Sequence, residues 1–275
     1  MKTQFKAFVL VFTILFTLPL FAQRVDTVKV YSPKMQREIK NVVILPAGYD
    51  KSKDVRYPVI YLLHGYGGKY NDWVGGIKKS LPQEAGKWNV IIVCPDGQNS
   101  WYWDSPIDPK MQFETYVSKE LVSYIDKNYK TITSPKGRAI TGLSMGGHGG
   151  LWLGINHPDV FGACGSMSGG VDIRPFPNNW DMKKWLGTYK ENPKVWDEHT
   201  VINQLDKIEP NTLSIIIDCG TEDFFYQVNE NLHKEMLYRN IKHDYIIRPG
   251  AHNGQYWENA VDYQLQFFSK FFGNN

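Results

Sequence analysis

Arg138-Ala139-Ile140-Thr141-Gly142-Leu143-Ser144-Met145-Gly146-Gly147-His148-Gly149-Gly150-Leu151-Trp152-Leu153-Gly154-Ile155 decides how this chain is read. Arg138 to Thr141 forms a short apolar run of strand character, and Gly147 to Ile155 continues as a small-residue helix. Between them, Gly142-Leu143-Ser144-Met145-Gly146 matches Gly-x-Ser-x-Gly, in which a serine stands on a sharp strand-to-helix turn with its hydroxyl above a sheet. Flanking glycines let the backbone bend there and leave the serine oxygen unobstructed. The pentapeptide alone would occur by chance in a chain this long about one time in ten at ordinary glycine frequencies, so its flanks carry the weight. Each helical glycine costs about 1 kcal/mol relative to alanine, and close packing of this helix on a sheet is the expected compensation.

Working outward, Val25 to Tyr31 and Glu38 to Leu45 read as two strands joined at Ser32-Pro33, a meander expected at a sheet edge. Val59-Ile60-Tyr61-Leu62-Leu63, entered from Pro58, is wholly apolar, as is Val90 to Pro95; such runs suit strands buried on both faces of a parallel sheet. Further strands are expected at Phe161 to Met167, Leu213 to Asp218 and His243 to Arg248. They alternate with amphipathic helices at Phe113 to Tyr129, Tyr226 to Asn240 and Tyr256 to Phe272. The alternation predicts an α/β fold in one domain over residues 23–275: a mostly parallel central sheet, helices on both faces and an antiparallel N-terminal meander. Residues 172–210 break the rhythm. With Pro175, Pro177 and Pro193 beside Trp180, Trp185 and Trp196, they are too polar for a core and too aromatic for a linker, and a lid-like insertion is expected there.

Residues 1–22 carry the marks of an export leader: Lys2 and Lys6, an apolar run from Phe8 to Leu18, and Leu20-Phe21-Ala22 before Gln23. A periplasmic or secreted location follows as an expectation, with no membrane insertion of the processed chain. The 31 Lys and Arg nearly balance 28 Asp and Glu, two of the lysines belonging to the leader, and no basic run stands out. Nucleic acid is therefore not an expected partner. Cys94, Cys164 and Cys219 are an odd set, two of them ending apolar runs, and are expected as buried thiols; one bridge with a spare thiol is the alternative.

A serine hydroxyl needs a base within hydrogen-bond reach, and the base needs an orienting carboxylate. Around this elbow the chain order is serine, then Asp or Glu, then histidine. Beyond the elbow helix stand His157 before a proline, His199 in the insertion, His233 within a helix and His243 opening a strand. His252 alone occupies a turn after the last strand, in Pro249-Gly250-Ala251-His252-Asn253-Gly254. For the carboxylate, Asp218 is still on its strand, whereas Glu222 and Asp223 lie past the turn at Gly220. Between those two the residues alone do not choose. His64-Gly65-Tyr66-Gly67-Gly68, straight after an early strand, resembles a loop that supplies one backbone N–H to an oxyanion hole; Tyr66 and Met145 are the expected donors. Trp101, Tyr102 and Trp103, in the loop after the Val90 to Pro95 strand, are candidate substrate-binding residues with His64, because ligands bind at the carboxyl ends of parallel strands.

Leu62-Leu63-His64-Gly65, Pro95-Asp96-Gly97, Asn99-Ser100-Trp101-Tyr102, Gly142-Leu143-Ser144-Met145-Gly146-Gly147, Gly220-Thr221-Glu222-Asp223 and Pro249-Gly250-Ala251-His252 together resemble the esterase D and feruloyl esterase branch of the α/β-hydrolases, which includes carbohydrate esterases of the family 1 type. The resemblance spans nearly all of the chain after the leader. It implies the α/β-hydrolase fold, and its Gly-Thr-x-Asp pattern implies Asp223 as the acid partner of His252; the family more often has glycine where this chain has Ala251. It implies a serine carboxylesterase; with the leader and the Trp- and Tyr-rich loop and insertion, the expectation is an exported enzyme acting on esterified carbohydrate, with feruloyl or acetyl esters foremost. A broad short-chain acyl esterase and an acyltransferase to a sugar hydroxyl are the alternatives, and a non-catalytic carbohydrate-binding scaffold fits the filled triad positions poorly. No cofactor and no metal are expected, since the histidines show no ligand spacing.

Overall fold

Apolar runs with no polar face are stable as strands only when both faces are covered, and this chain covers them. The computed structural model describes residues 23–51 and 53–273, so the expected leader lies outside the described residues. One sheet holds β1 (Arg24–Ser32), β2 (Arg37–Leu45), β3 (Val59–Leu63), β4 (Ile91–Pro95), β5 (Arg138–Gly142), β6 (Ala163–Met167), β7 (Ser214–Gly220) and β8 (Asp244–Arg248), in the order β1-β2-β4-β3-β5-β6-β7-β8. Strands β3 to β8 pair in parallel, while β2 pairs antiparallel with both β1 and β4, which places the N-terminal meander at the edge as expected.

Because side chains alternate across a strand, each strand feeds two cores. Val59, Tyr61 and Leu63 of β3 join one cluster, and Ile60 and Leu62 join the other. The helices are α1 (Leu81–Trp88), α2 (Phe113–Thr115), α3 (Val122–Asn128), α4 (Met145–Asn156), α5 (Met182–Leu186), α6 (Pro193–Glu198), α7 (Tyr226–Tyr238) and α8 (Gly254–Phe271). Leu232 and Met236 of α7 and Leu151 and Leu153 of α4 cover the first face; Leu81 of α1 and Val261, Leu265 and Phe268 of α8 cover the second. Cys94, Cys164 and Cys219 are buried and free. No helix among the described residues is long and apolar enough to cross a membrane.

One departure from expectation has a local cause. The helix expected over Phe113 to Tyr129 is a rod in which a π-helical segment, Tyr116–Leu121, separates α2 from α3; the Ser118 hydroxyl donates to Glu114 O (2.7 Å) and competes for a carbonyl of the regular ladder. Helix α1 has Pro82 in its first turn and ends at Asn89 in a left-handed conformation. The glycines of α4 are explained by proximity. A Cβ on Gly150 would lie 2.4 Å from Gly165 O and one on Gly154 2.3 Å from the Cys164 Cβ, so α4 sits closer to β5 and β6 than larger side chains permit. Residues 172–210 contain α5, α6 and a 3-10 segment, Val201–Lys207.

Candidate active site

Ser144 joins β5 to α4 with φ 56° and ψ −117°, a conformation non-glycine residues rarely adopt. Its backbone N–H donates to Met167 O at the end of β6 (2.9 Å), which helps hold the strained turn. Gly146 is required by contact: a Cβ there would stand 2.6 Å from the carbonyl oxygens of Leu63 and His64.

The Ser144 Oγ lies 2.9 Å from His252 Nε2. On the other side of the ring, His252 Nδ1 is 2.8 Å from Asp223 Oδ2 and 3.0 Å from Oδ1. An ionised carboxylate only accepts, so Nδ1 carries the proton and Nε2 is left to accept from the serine hydroxyl. The Asp223 side chain is 0% exposed and that of His252 14%, so the relay is dry at its base and reachable at its tip. Phe225 N–H donates to Asp223 Oδ1 (2.8 Å), fixing the carboxylate in the turn after β7. Glu222, its neighbour, is exposed. Asp218 is buried behind the site, where Arg248 Nη2 donates to it (2.8 and 3.0 Å) and Tyr256 bonds it as well. Those bonds tie β7 to β8 and to the start of α8, which carry the two loops bearing Asp223 and His252.

The remaining histidines are engaged elsewhere. His157 pairs with Glu114 (2.8 Å), and His199 Nδ1 donates to Val195 O (2.7 Å). A second cavity of about 470 Å³ is lined by both Ser214 and His243, yet it holds no serine–histidine couple. There the His243 ring bonds Ile241 O (2.8 Å) and His233 Nδ1 (2.8 Å).

The cavity over Ser144 is about 430 Å³ and is lined by Gly65, Tyr66, Gly67, Gly68, Asp72 and Ile77 on one side and by Trp180, Phe224, His252 and Trp257 on the other. Tyr66, the expected donor of the glycine-rich loop, lines this cavity with Ser144. Met145 opens α4, so its N–H is among the four that find no acceptor within a helix. The loop is braced from beneath: buried His64 donates from Nδ1 to Gly65 O (2.7 Å) and accepts at Nε2 from Gly97 N–H (2.8 Å), and burial lowers its pKa and keeps it neutral. Asn99 Oδ1 accepts from Gly67 N–H (2.7 Å), and Trp73 Nε1 donates to Leu63 O (3.1 Å).

The structure corrects the expected substrate residues. Trp101, Tyr102 and Trp103 are 1%, 0% and 0% exposed, and neither they nor His64 lines the cavity. Trp101 and Tyr102 take left-handed backbone conformations (φ 57° and 63°) that turn the loop inward. Trp103 Nε1 then donates to His148 Nε2 (2.7 Å), and Tyr102 Oη donates to His64 O (3.1 Å). The aromatic rings that reach the cavity are Trp180, Phe224, Trp257 and Tyr66. The signal for two of them was adjacency: Phe224 follows Asp223 directly, and Trp257 lies in the first turns of the helix after His252.

A serine on a strained strand-to-helix turn, bonded to a histidine that a buried carboxylate orients, at the carboxyl edge of this sheet, places the molecule among the α/β-hydrolases. The chain belongs to the Esterase family, whose model matches residues 32–268. An acetyl esterase of Caldicellulosiruptor saccharolyticus is 25% identical over 258 residues, covering 87% of this chain and 96% of that protein. An endo-1,4-beta-xylanase/feruloyl esterase of Xylanibacter ruminicola is 35% identical over 139 residues, covering 47% of this chain and 19% of that longer protein. Among solved structures, a ferulic acid esterase matches with a TM-score of 0.78 at 27% identity, covering 91% of this chain and 99% of its own. A fluorophosphonate-binding serine hydrolase of Staphylococcus aureus shares the fold, with a TM-score of 0.80 at 20% identity over 90% of this chain and 99% of its own. The chain is accordingly a carboxylic ester hydrolase.

Proposed function

We propose that this protein is an exported serine carboxylesterase that removes feruloyl or acetyl groups from carbohydrate through an acyl-enzyme. The observation that carries the reading is the continuous relay from Ser144 through His252 to Asp223, 2.9 Å and 2.8 Å at its two joints. In the first half-reaction Ser144 Oγ bonds the ester carbonyl carbon as His252 Nε2 takes its proton, and the electron pair moves onto the carbonyl oxygen. The N–H groups of Tyr66 and Met145 stabilise that oxyanion; removal of one such donor costs about 3 to 4 kcal/mol of barrier. As the tetrahedral species collapses, the C–O bond to the alcohol breaks and His252 returns the proton to the leaving oxygen. Water then attacks the acyl-serine by the same route and releases the acid. Asp223 keeps the imidazole in the working tautomer throughout.

The substrate class rests on three supports: the similarity to an acetyl esterase and to a ferulic acid esterase, the aromatic lining of the cavity, and a leader expected to send the chain out of the cytoplasm. The test is a panel of 4-nitrophenyl acetate, 4-nitrophenyl butyrate, acetylated xylan and methyl ferulate, ranked by kcat/KM. Turnover of acetylated xylan above the plain nitrophenyl esters supports the carbohydrate reading, and turnover of methyl ferulate above them supports a feruloyl acyl group. Folded protein inactive on all four would sink the esterase mechanism, and preference for 4-nitrophenyl butyrate would leave a general short-chain esterase.

A further inference from the structure

Tyr66 has a side chain with work of its own. Its hydroxyl donates to Asp181 Oδ2 (2.8 Å) across 115 residues of sequence, joining the oxyanion loop to the 172–210 insertion. Asp181 is held in turn by Lys184 Nζ on its other oxygen (3.1 Å), so the carboxylate is fixed between a phenol and an ammonium, and both lower its pKa. The corner that presents it is strained. Trp180 (φ 48°) and Asp181 (φ 58°) are consecutive non-glycine residues in the left-handed region, a backbone that L side chains disfavour. Such strain persists where surrounding contacts over-determine it. Here the contacts are the Trp180 ring against Phe176, Phe224, Phe225 and Trp101 on one side and the Tyr66–Asp181 bond on the other.

The oxyanion loop needs such an outer anchor. Gly67 (φ 76°) and Gly68 follow Tyr66, and a glycine-rich backbone is the softest kind. His64, Asn99 and Tyr102 brace the loop from the protein interior, through Gly65 O, Gly67 N–H and His64 O. Tyr66 itself is 36% exposed, and its phenol is the grip on the solvent side. A donor N–H works at full strength only if it already stands where the oxyanion will form, and a misplacement of about 1 Å can cost 100-fold.

We propose that Asp181 is a positioning residue for the oxyanion hole: by holding the Tyr66 hydroxyl, the insertion fixes the Tyr66 backbone N–H over Ser144 and at the same time seats Trp180 as the roof of the cavity. The inference rests on the esterase reading and adds to it a role for the insertion in the chemical step.

The test measures kcat and KM for 4-nitrophenyl acetate in the purified protein and in Tyr66→Phe, Asp181→Ala, Asp181→Asn and the Tyr66→Phe/Asp181→Ala pair, each checked for an unchanged Tm. Tyr66→Phe and Asp181→Ala are each expected to lower kcat about tenfold, less than outright loss of a donor, with KM within about twofold. The pair should lose no more than either single change, because both break one bond. Asp181→Asn keeps an acceptor and should recover most of the loss. A kcat within twofold of the parent in Tyr66→Phe, or losses that multiply in the pair, would overturn the proposal. Were Asp181→Ala not to fold, Tyr66→Phe removes a single oxygen and decides alone. Parent hydrolysis that Ser144→Ala abolishes secures the underlying reading independently of the latch; parent protein without esterase activity would remove both.

Discussion

Among the described residues, His148 and His252 each pack against three aromatic rings, and of the two His252 alone is bonded to a serine. His148, four residues past Ser144 on α4, packs against Trp101 (5.4 Å), Trp103 (5.1 Å) and Trp152 (6.0 Å) between ring centroids. His252 packs against Phe224 (4.2 Å), Phe225 (5.5 Å) and Trp257 (4.9 Å). The rings are alike; the polar partners differ. His148 accepts from Trp103 Nε1 (2.7 Å) and donates from Nδ1 to Gly170 O (2.9 Å), so both nitrogens are saturated inside the core, and burial lowers its pKa to about 3. His252 has a carboxylate on one nitrogen and a serine hydroxyl facing a cavity on the other. An aromatic cage makes a histidine rigid. A carboxylate behind it and an open face in front are what the proposed base requires.

Substitutions should separate the two cages. Removing the proposed base, His252→Gln, is expected to lower kcat on 4-nitrophenyl acetate by about 10⁶-fold, as for loss of a triad histidine, with Tm unchanged. Asp223→Asn should cost about 10⁴-fold through the wrong tautomer, while Glu222→Gln, exposed and one residue away, stays within about twofold; a reversal of these two results would move the acid to Glu222. His148→Ala should act on the fold instead. It opens a core cavity and strands the Trp103 N–H and the Gly170 carbonyl, lowering stability by about 3 kcal/mol in urea unfolding while kcat per folded molecule is preserved.

The acid response is a smaller effect of the same contrast. The folded pKa of His148 lies below the ordinary value of 6.5, so its contribution to stability is complete above pH 6.5 and is lost as the pH falls from there toward about 3. Within that window the unfolded chain binds the extra proton, and stability should drop by up to about 1.4 kcal/mol per pH unit from this group. His199, also lowered by burial and stacked on Trp152, adds to the drop. Urea midpoints at pH 7 and pH 4.5 measure it, and His148→Gln should flatten the slope; an unchanged slope would mean that other groups carry the acid response.

Much of this was legible in the sequence. Wholly apolar runs marked β3 and β4, the Gly-x-Ser-x-Gly turn marked Ser144, and chain order with turn position left only His252 as the base. Asp223 was not separable from Glu222 on the residues, because both follow the Gly220 turn; what separates them is burial, which the direction of the turn decides. The Trp101 loop misled for a related reason. Three aromatics at the carboxyl edge of a parallel sheet have the composition of a ligand wall, but two left-handed residues fold them inward, and non-glycine left-handed residues leave no mark in a sequence. Trp180 was visible as part of an aromatic insertion, whereas its place in the cavity wall comes with contacts to rings far off in the sequence, Trp101, Phe224 and Phe225.

In the proposed reaction Ser144, activated by His252, forms the covalent bond to substrate. Treating the folded protein with a fluorophosphonate and mapping the adduct by peptide mass spectrometry tests it most directly, because the serine oxygen displaces fluoride and keeps the phosphonyl group. One adduct per chain, on Ser144, lost in Ser144→Ala and strongly slowed in His252→Gln, is the predicted result. Folded protein that takes no label, or a label that persists at equal rate in Ser144→Ala, would contradict it.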